Sequence, residues 1–173
     1  LARGNVVAGN FIGVDLGGSR QPSGNPYQWW GLVIQRGATE NTIESNVMAA
    51  NGLTQVFVDA TSDRNAIVGN RIGTAASGMT RVAHEDAQGA GVVVASGNDV
   101  VSGNVIGGFY GLGHGVWITG QENLVSDNRI GLAANGTGDL ASGYGITLQD
   151  AADTVVQDNV VAFGNEAAIR VVD

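Results

Sequence analysis

The chain has no cysteine. That excludes a disulfide framework and any thiolate metal site. Charge is also scarce, at 14% of residues against the roughly 25% usual in soluble domains. Only 8 residues are basic and the net charge is −8, with no basic run, so a nucleic-acid backbone is excluded as a partner. No apolar run approaches the ~18 residues of a membrane span. Two prolines are few for a chain with this many turns, and 28 glycines do that work by accepting positive φ. No signal peptide is visible, and the chain begins at Leu1 rather than Met. The expectation is a processed form or a segment of something longer.

What the sequence does have is repetition. Asn65 to Gly73 (NAIVGNRIG) recurs as Asn5 to Gly13 (NVVAGNFIG), Asn41 to Ala49 (NTIESNVMA), Asp99 to Gly107 (DVVSGNVIG), Asn123 to Gly131 (NLVSDNRIG) and Thr154 to Ala162 (TVVQDNVVA). Superposing the six copies brings Asn10, Asn46, Asn70, Asn104, Asn128 and Asn159 into one column. Self-similarity at a period of a few tens of residues marks a repeat architecture. A second motif lies between the copies: Gly31 to Gln35, Gln55 to Asp59, Gly91 to Ala95, Gly115 to Thr119, Gly145 to Gln149 and Ala168 to Val172. Each is a short β-branched run with alternation, which predicts a strand.

Successive column asparagines are 36, 24, 34, 24 and 31 residues apart. The short spacing is the basic coil, and the longer ones carry inserts after Gly13, Gly73 and Gly131. All three enter at one point of the coil, so they should emerge on one side.

This pattern resembles the right-handed parallel β-helix of the pectin-lyase-like superfamily, and more narrowly bacterial β-helix repeats with a G-N-x-I-G-T/V-D phrase. Gly9 to Asp15 and Gly69 to Thr74 carry that phrase here. The resemblance covers essentially the whole chain and implies an all-β, right-handed parallel β-helix of about six coils, a single segment over residues 1–173. It is specific for fold and unspecific for activity, because the superfamily holds lyases, hydrolases, epimerases, tailspikes and adhesins.

Stacking like residues then builds the core. The inward columns are expected to be Val7, Ile43, Ile67, Val101, Val125 and Val156, followed by Ile12, Met48, Ile72, Ile106, Ile130 and Val161. The other strand supplies pairs such as Leu32/Ile34, Val56/Val58 and Val116/Ile118. The asparagine column is read as a structural ladder. Its amides donate and accept along the axis, and Asn tolerates the left-handed conformation expected of it in a β-arc.

Function must lie on outward positions. Val33, Phe57, Val93 and Trp117 form an apolar outward stripe, flanked by Trp30 and Tyr144. Such a stripe is either covered, here by inserts 13–29, 73–89 and 131–143 folding back, or a contact surface for a polysaccharide or protein. Gly113 to Ile118 contains the G-H-G phrase that in polygalacturonases carries a catalytic-site histidine. The family's Asp pair and its R-I-K are missing, so His114 is read as coil grammar. The remaining catalytic candidates are Asp59, Asp63 and His84. With Arg81 they would supply a base and a carboxylate-neutralising cation if the second insert folds onto the Phe57 coil, with Ca²⁺ as the one metal such chemistry would take. The chain is otherwise expected to need no cofactor.

At the ends, the count from Val171 into a following copy's Asn10 equals the 12 residues from Ile34 to Asn46, so a second copy would continue the coil in register. The sequence therefore favours a secreted or cell-surface bacterial β-solenoid, structural or adhesive, associating end to end. The alternative is the β-helix part of a polysaccharide lyase, hydrolase or epimerase.

Overall fold

The computed structural model describes residues 2–22, 28–82 and 89–173. Among them are 18 strands in three parallel six-stranded sheets. The chain visits the three sheets in turn, once per coil, in the right-handed parallel solenoid that the repeats predict. In the second coil, for example, Thr42–Glu44 lies in the first sheet, Val47–Met48 in the second and Thr54–Val58 in the third. Every neighbouring pair is parallel, and the register joins repeat to repeat. Val7 pairs with Ile43, Val101 with Ile67, and Trp117 with Val93 and Thr147.

The inward columns form one core. Ile43, Met48, Ile67, Ile72, Val92, Ile106, Val116, Val125 and Ile130 pack together with Val7, Ile12, Val156 and Val161 at its edges. β-Branched residues suit this interior because their stiff χ1 packs well on a pleated surface. In the third sheet the alternation breaks at a glycine. A Cβ on Gly91, Gly115 or Gly145 would strike the core side chains Ile106, Ile130 and Val161 respectively. The next residues, Val92, Val116 and Ile146, are themselves fully buried. Two consecutive residues thus face inward in these three coils, where the first must be glycine; in the second coil the same position holds buried Gln55, whose side chain bonds Asn51.

The asparagine column is a continuous ladder. Each backbone N–H and each Nδ2–H donates to the Oδ1 of the next coil's asparagine, at 2.8–3.1 Å from Asn10 through Asn159. The other amide hydrogen reaches a carbonyl one coil back, as from Asn70 to Ile43 O at 2.9 Å. Asn46, Asn70 and Asn104 are fully buried. Their polar atoms are satisfied, which makes that burial tolerable.

The expected left-handed conformation falls one residue earlier than the sequence suggests. Gly9, Ser45, Gly69, Gly103, Asp127 and Asp158 have φ between 54° and 67°. The ladder asparagines that follow them do not. The αL residue turns the chain, and the asparagine then locks the turn to the next coil.

A second ladder accompanies the first. Asn5, Asn41, Asn65, Asp99 and Asn123 are linked in the same way, again each preceded by a residue of positive φ. These residues stand at the first position of the nine-residue phrase. They were visible as a column, interrupted by Asp99 and ended by Thr154.

The inserts do emerge on one side. Their described parts begin as hairpins closed by a tight turn, with Gly18, Gly78 and Gly136 donating to Asp15, Ala75 and Ala133. They lie outside the second sheet, where Val14, Ala75 and Val82 cover Val47, and Ala133 and Leu140 cover Val105. Residues 23–27 and 83–88 of the first two inserts, through which they would fold back over the Val33–Trp117 stripe, lie outside the described residues.

Candidate functional site

The outward face of the third sheet carries a cluster of stacked rings. His114 and Trp117 are three apart and would face opposite sides of a regular strand. The inward Gly115–Val116 pair brings both to the same outer surface. The His114 ring stacks on Trp117 at 4.7 Å and on Tyr144 of the next coil at 5.0 Å. Arg170, one coil further, sits 5.0 Å from the centre of the Tyr144 ring. His114 Nδ1 is 2.8 Å from the hydroxyl oxygen of buried Thr147. Burial lowers the imidazole pKa and the Arg170 charge lowers it further, so the ring is neutral at pH 7.

The rest of the stripe is unevenly covered. Val33 and Trp30 are exposed, whereas Phe57, Val93, Trp117 and Tyr144 are half-buried. The rings of the His114 cluster therefore use their faces on one another and offer mainly their edges. The indole N–H of Trp117 is buried without a partner among the described residues.

The acidic candidates sit elsewhere and have local duties. Asp59 closes the turn after Thr54–Val58. It accepts hydrogen bonds from Arg36 N–H at 2.9 Å, Thr61 N–H at 3.0 Å, the Thr61 hydroxyl at 2.8 Å and the Ser62 hydroxyl at 2.9 Å. Desolvation raises its pKa, but those donors outweigh it and hold the group at about 2. Asp63 pairs with Arg64 at 2.8 Å, and Arg64 also approaches Glu40 at 3.5 Å. His84 lies outside the described residues, as does Tyr27. Arg81 stands 4.2 Å over the Tyr110 ring, in a groove of about 390 Å³ between the second and third inserts that also includes Asp139. A second groove, about 420 Å³, crosses the turns beyond the third sheet, with Glu122 as the one ionisable residue in its lining.

Among the described residues no three His, Cys, Asp or Glu side chains come together as a metal-binding group. No helix there is long and apolar enough to cross a membrane. Asp59 and Asp63 are each engaged in their own turn. Arg71 and Arg129 do occupy matching outward positions, two coils apart with Val105 between them.

Parallel coils, stacked columns and two side-chain ladders define a β-helix, and comparison with protein families agrees. The chain belongs to the family described as right handed beta helix region, whose model matches residues 23–173. Neither the curated proteins nor the solved structures give a match.

Proposed function

We propose that this chain is a structural and adhesive β-solenoid module, secreted or held at a bacterial cell surface, that associates end to end with units of the same coil grammar. The observation that carries this reading is the direction of the asparagine ladder. Among the described residues, Asn10 Oδ1 accepts no hydrogen bond and Asn159 N–H donates none. The first end is an acceptor and the last is a donor, as at every internal rung. A second copy placed on the last coil would add one more rung of the same kind. Such a head-to-tail contact is heterologous and does not close on itself.

The apolar ends support the same reading. Ile169 and Val171 in the last coil are exposed, whereas their counterparts Val116 and Ile118 are fully buried under the next coil. The engagement of Asp59 and Asp63 in their own turns favours a non-catalytic module over a polysaccharide-acting enzyme. The exposed rings of Trp29 and Trp30 at the start of the third sheet favour a polysaccharide as an adhesive ligand.

Sedimentation velocity over a hundredfold range of protein concentration tests the association. The expected result is a sedimentation coefficient that rises continuously with concentration. A single coefficient matching one chain throughout would contradict it. Incubation with acidic and neutral polysaccharides, monitored for unsaturated or reducing ends, tests the enzymatic alternative, for which the expected result is no release.

A further inference from the structure

The inserts form a ladder of their own, at twice the period of the coils. They leave the first, third and fifth coils, and each skips a coil to reach the next. Ala76 N–H donates to Gly18 O at 2.7 Å, and Ala134 N–H donates to Gly78 O at 2.8 Å. The side chains repeat the relation. A Cβ built on Gly18 would lie 2.9 Å from the Ala76 methyl, and one on Gly78 would lie 2.9 Å from the Ala134 methyl. Glycine at the tip of one insert thus receives the alanine of the next. Between the contacts the skipped coil is roofed: Val47 and Val105 are 7% and 2% exposed.

The series continues past the third insert without a partner among the described residues. Gly136 corresponds to Gly18 and Gly78, yet its carbonyl accepts nothing and nothing lies within 4 Å of a Cβ built on it. Val160 corresponds to Val47 and Val105, yet it is 52% exposed, with Phe163, three residues on, at 47%. At the opposite end Leu16 corresponds to Ala76 and Ala134. Its N–H donates to nothing, and the residue is 92% exposed. Asp15 stands where the others have alanine, but its carboxylate is turned into its own loop by Ser19 N–H at 2.9 Å and Arg20 Nε at 3.1 Å. Six coils make three whole two-coil periods, so a second copy stacked on the last coil meets it with the inserts in phase.

We infer that the insert ladder is a second, register-setting interface for another copy of this chain: Leu16 N–H of one copy donates to Gly136 O of the other, and the first insert roofs Val160 and Phe163. This rests on the end-to-end reading above and adds a property that coil stacking alone lacks. The insert contact lies off the stacked coils, outside the second sheet, so it also holds the rotational register of one copy on the other.

The absence of native cysteine allows a direct test. In Gly78→Cys/Ala134→Cys the Cβ atoms start at 2.9 Å and must part to the roughly 3.8 Å of a disulfide, so this pair, linked within one chain, is the control for geometry and for a side chain at positive φ. Leu16→Cys/Gly136→Cys should instead link chains, giving a ladder of covalent multimers on a denaturing gel after mild oxidation. Leu16→Pro is the independent variant. Residue 16 is the second residue of the Asp15–Gly18 turn, a position where proline is favoured, so the hairpin is kept while the donor is lost. Self-association should weaken about fivefold or more by sedimentation, roughly the value of one hydrogen bond. Association without Leu16–Gly136 links, and unaffected by Leu16→Pro, would overturn the insert interface and leave coil stacking standing. No association of the native chain would overturn both.

Discussion

Asn65 directs two donors onto one oxygen of Asp99, its backbone N–H at 2.6 Å and its Nδ2–H at 3.2 Å. Asp99 is buried, and its other oxygen is engaged by the Ser96 hydroxyl. It is the one carboxylate among the linked rungs of the second ladder. Burial raises its pKa, and the hydrogen bonds from Ser96 and Asn65 offset this only in part. A folded pKa above the unfolded one means that ionisation opposes folding. Stability should therefore fall as pH rises from the ordinary value of 3.8 through the folded value, and the deficit is complete above it. Asp99→Asn removes the charge and supplies the Nδ2–H that other rungs donate to the next rung's Oδ1, here that of Asn123. The variant should have a higher urea midpoint at pH 7, with a gap that narrows towards pH 4. A lower midpoint at pH 7 would contradict this account of Asp99.

Asp59 should titrate with the opposite sign. Its folded pKa of about 2 lies below the ordinary 3.8, because donors from Arg36, Thr61 and Ser62 outweigh desolvation. The stability it contributes is present above pH 3.8 and is lost as pH falls towards 2. Asp59→Asn should flatten that part of the midpoint-versus-pH curve and leave the part above pH 5 parallel to the native one.

The first ladder should be costly to cut in its middle and cheap to cut at its end. Asn104 accepts from Asn70 N–H and Nδ2–H and donates to Asn128 Oδ1 and Ile67 O. Asn104→Ala strands several buried polar groups and should cost about 3 kcal/mol. Asn10→Ala removes an exposed rung and should cost about 1 kcal/mol or less. Urea denaturation monitored by circular dichroism measures both.

Two glycines separate backbone conformation from space. Gly73 has φ 72°, and a Cβ there would sit 2.0 Å from the Gly107 carbonyl oxygen. Gly111 has φ 61° with nothing within 4 Å. Gly111→Ala should cost about 1–2 kcal/mol, the left-handed penalty alone. Gly73→Ala must also move a backbone, so its loss should exceed that of Gly111→Ala and extend to loss of soluble expression.

The core was legible because the same residue types recur at the same phase. Ile43, Ile67, Val101 and Val125 announce one column, and the Asn10 column is a single residue type throughout. The turn residues were not legible in that way. Gly9, Ser45 and Asp127 share one left-handed conformation but no chemistry that would reveal it, since the adjacent ladder imposes the turn. The His114–Trp117 contact was hidden because strand alternation puts residues three apart on opposite faces, and the Gly115–Val116 irregularity reverses that. Roofing of Val47 and Val105 needed the long-range pairing of Ala76 with Gly18, which no local pattern encodes.

Negative-stain microscopy and X-ray fibre diffraction of the concentrated chain test the stacking of like ends most directly. The account predicts unbranched filaments with a meridional spacing of about 4.8 Å from the coils and a second at about 9.6 Å from the two-coil period of the inserts. Particles that remain single chains of about six coils at every concentration, with neither spacing, would contradict it.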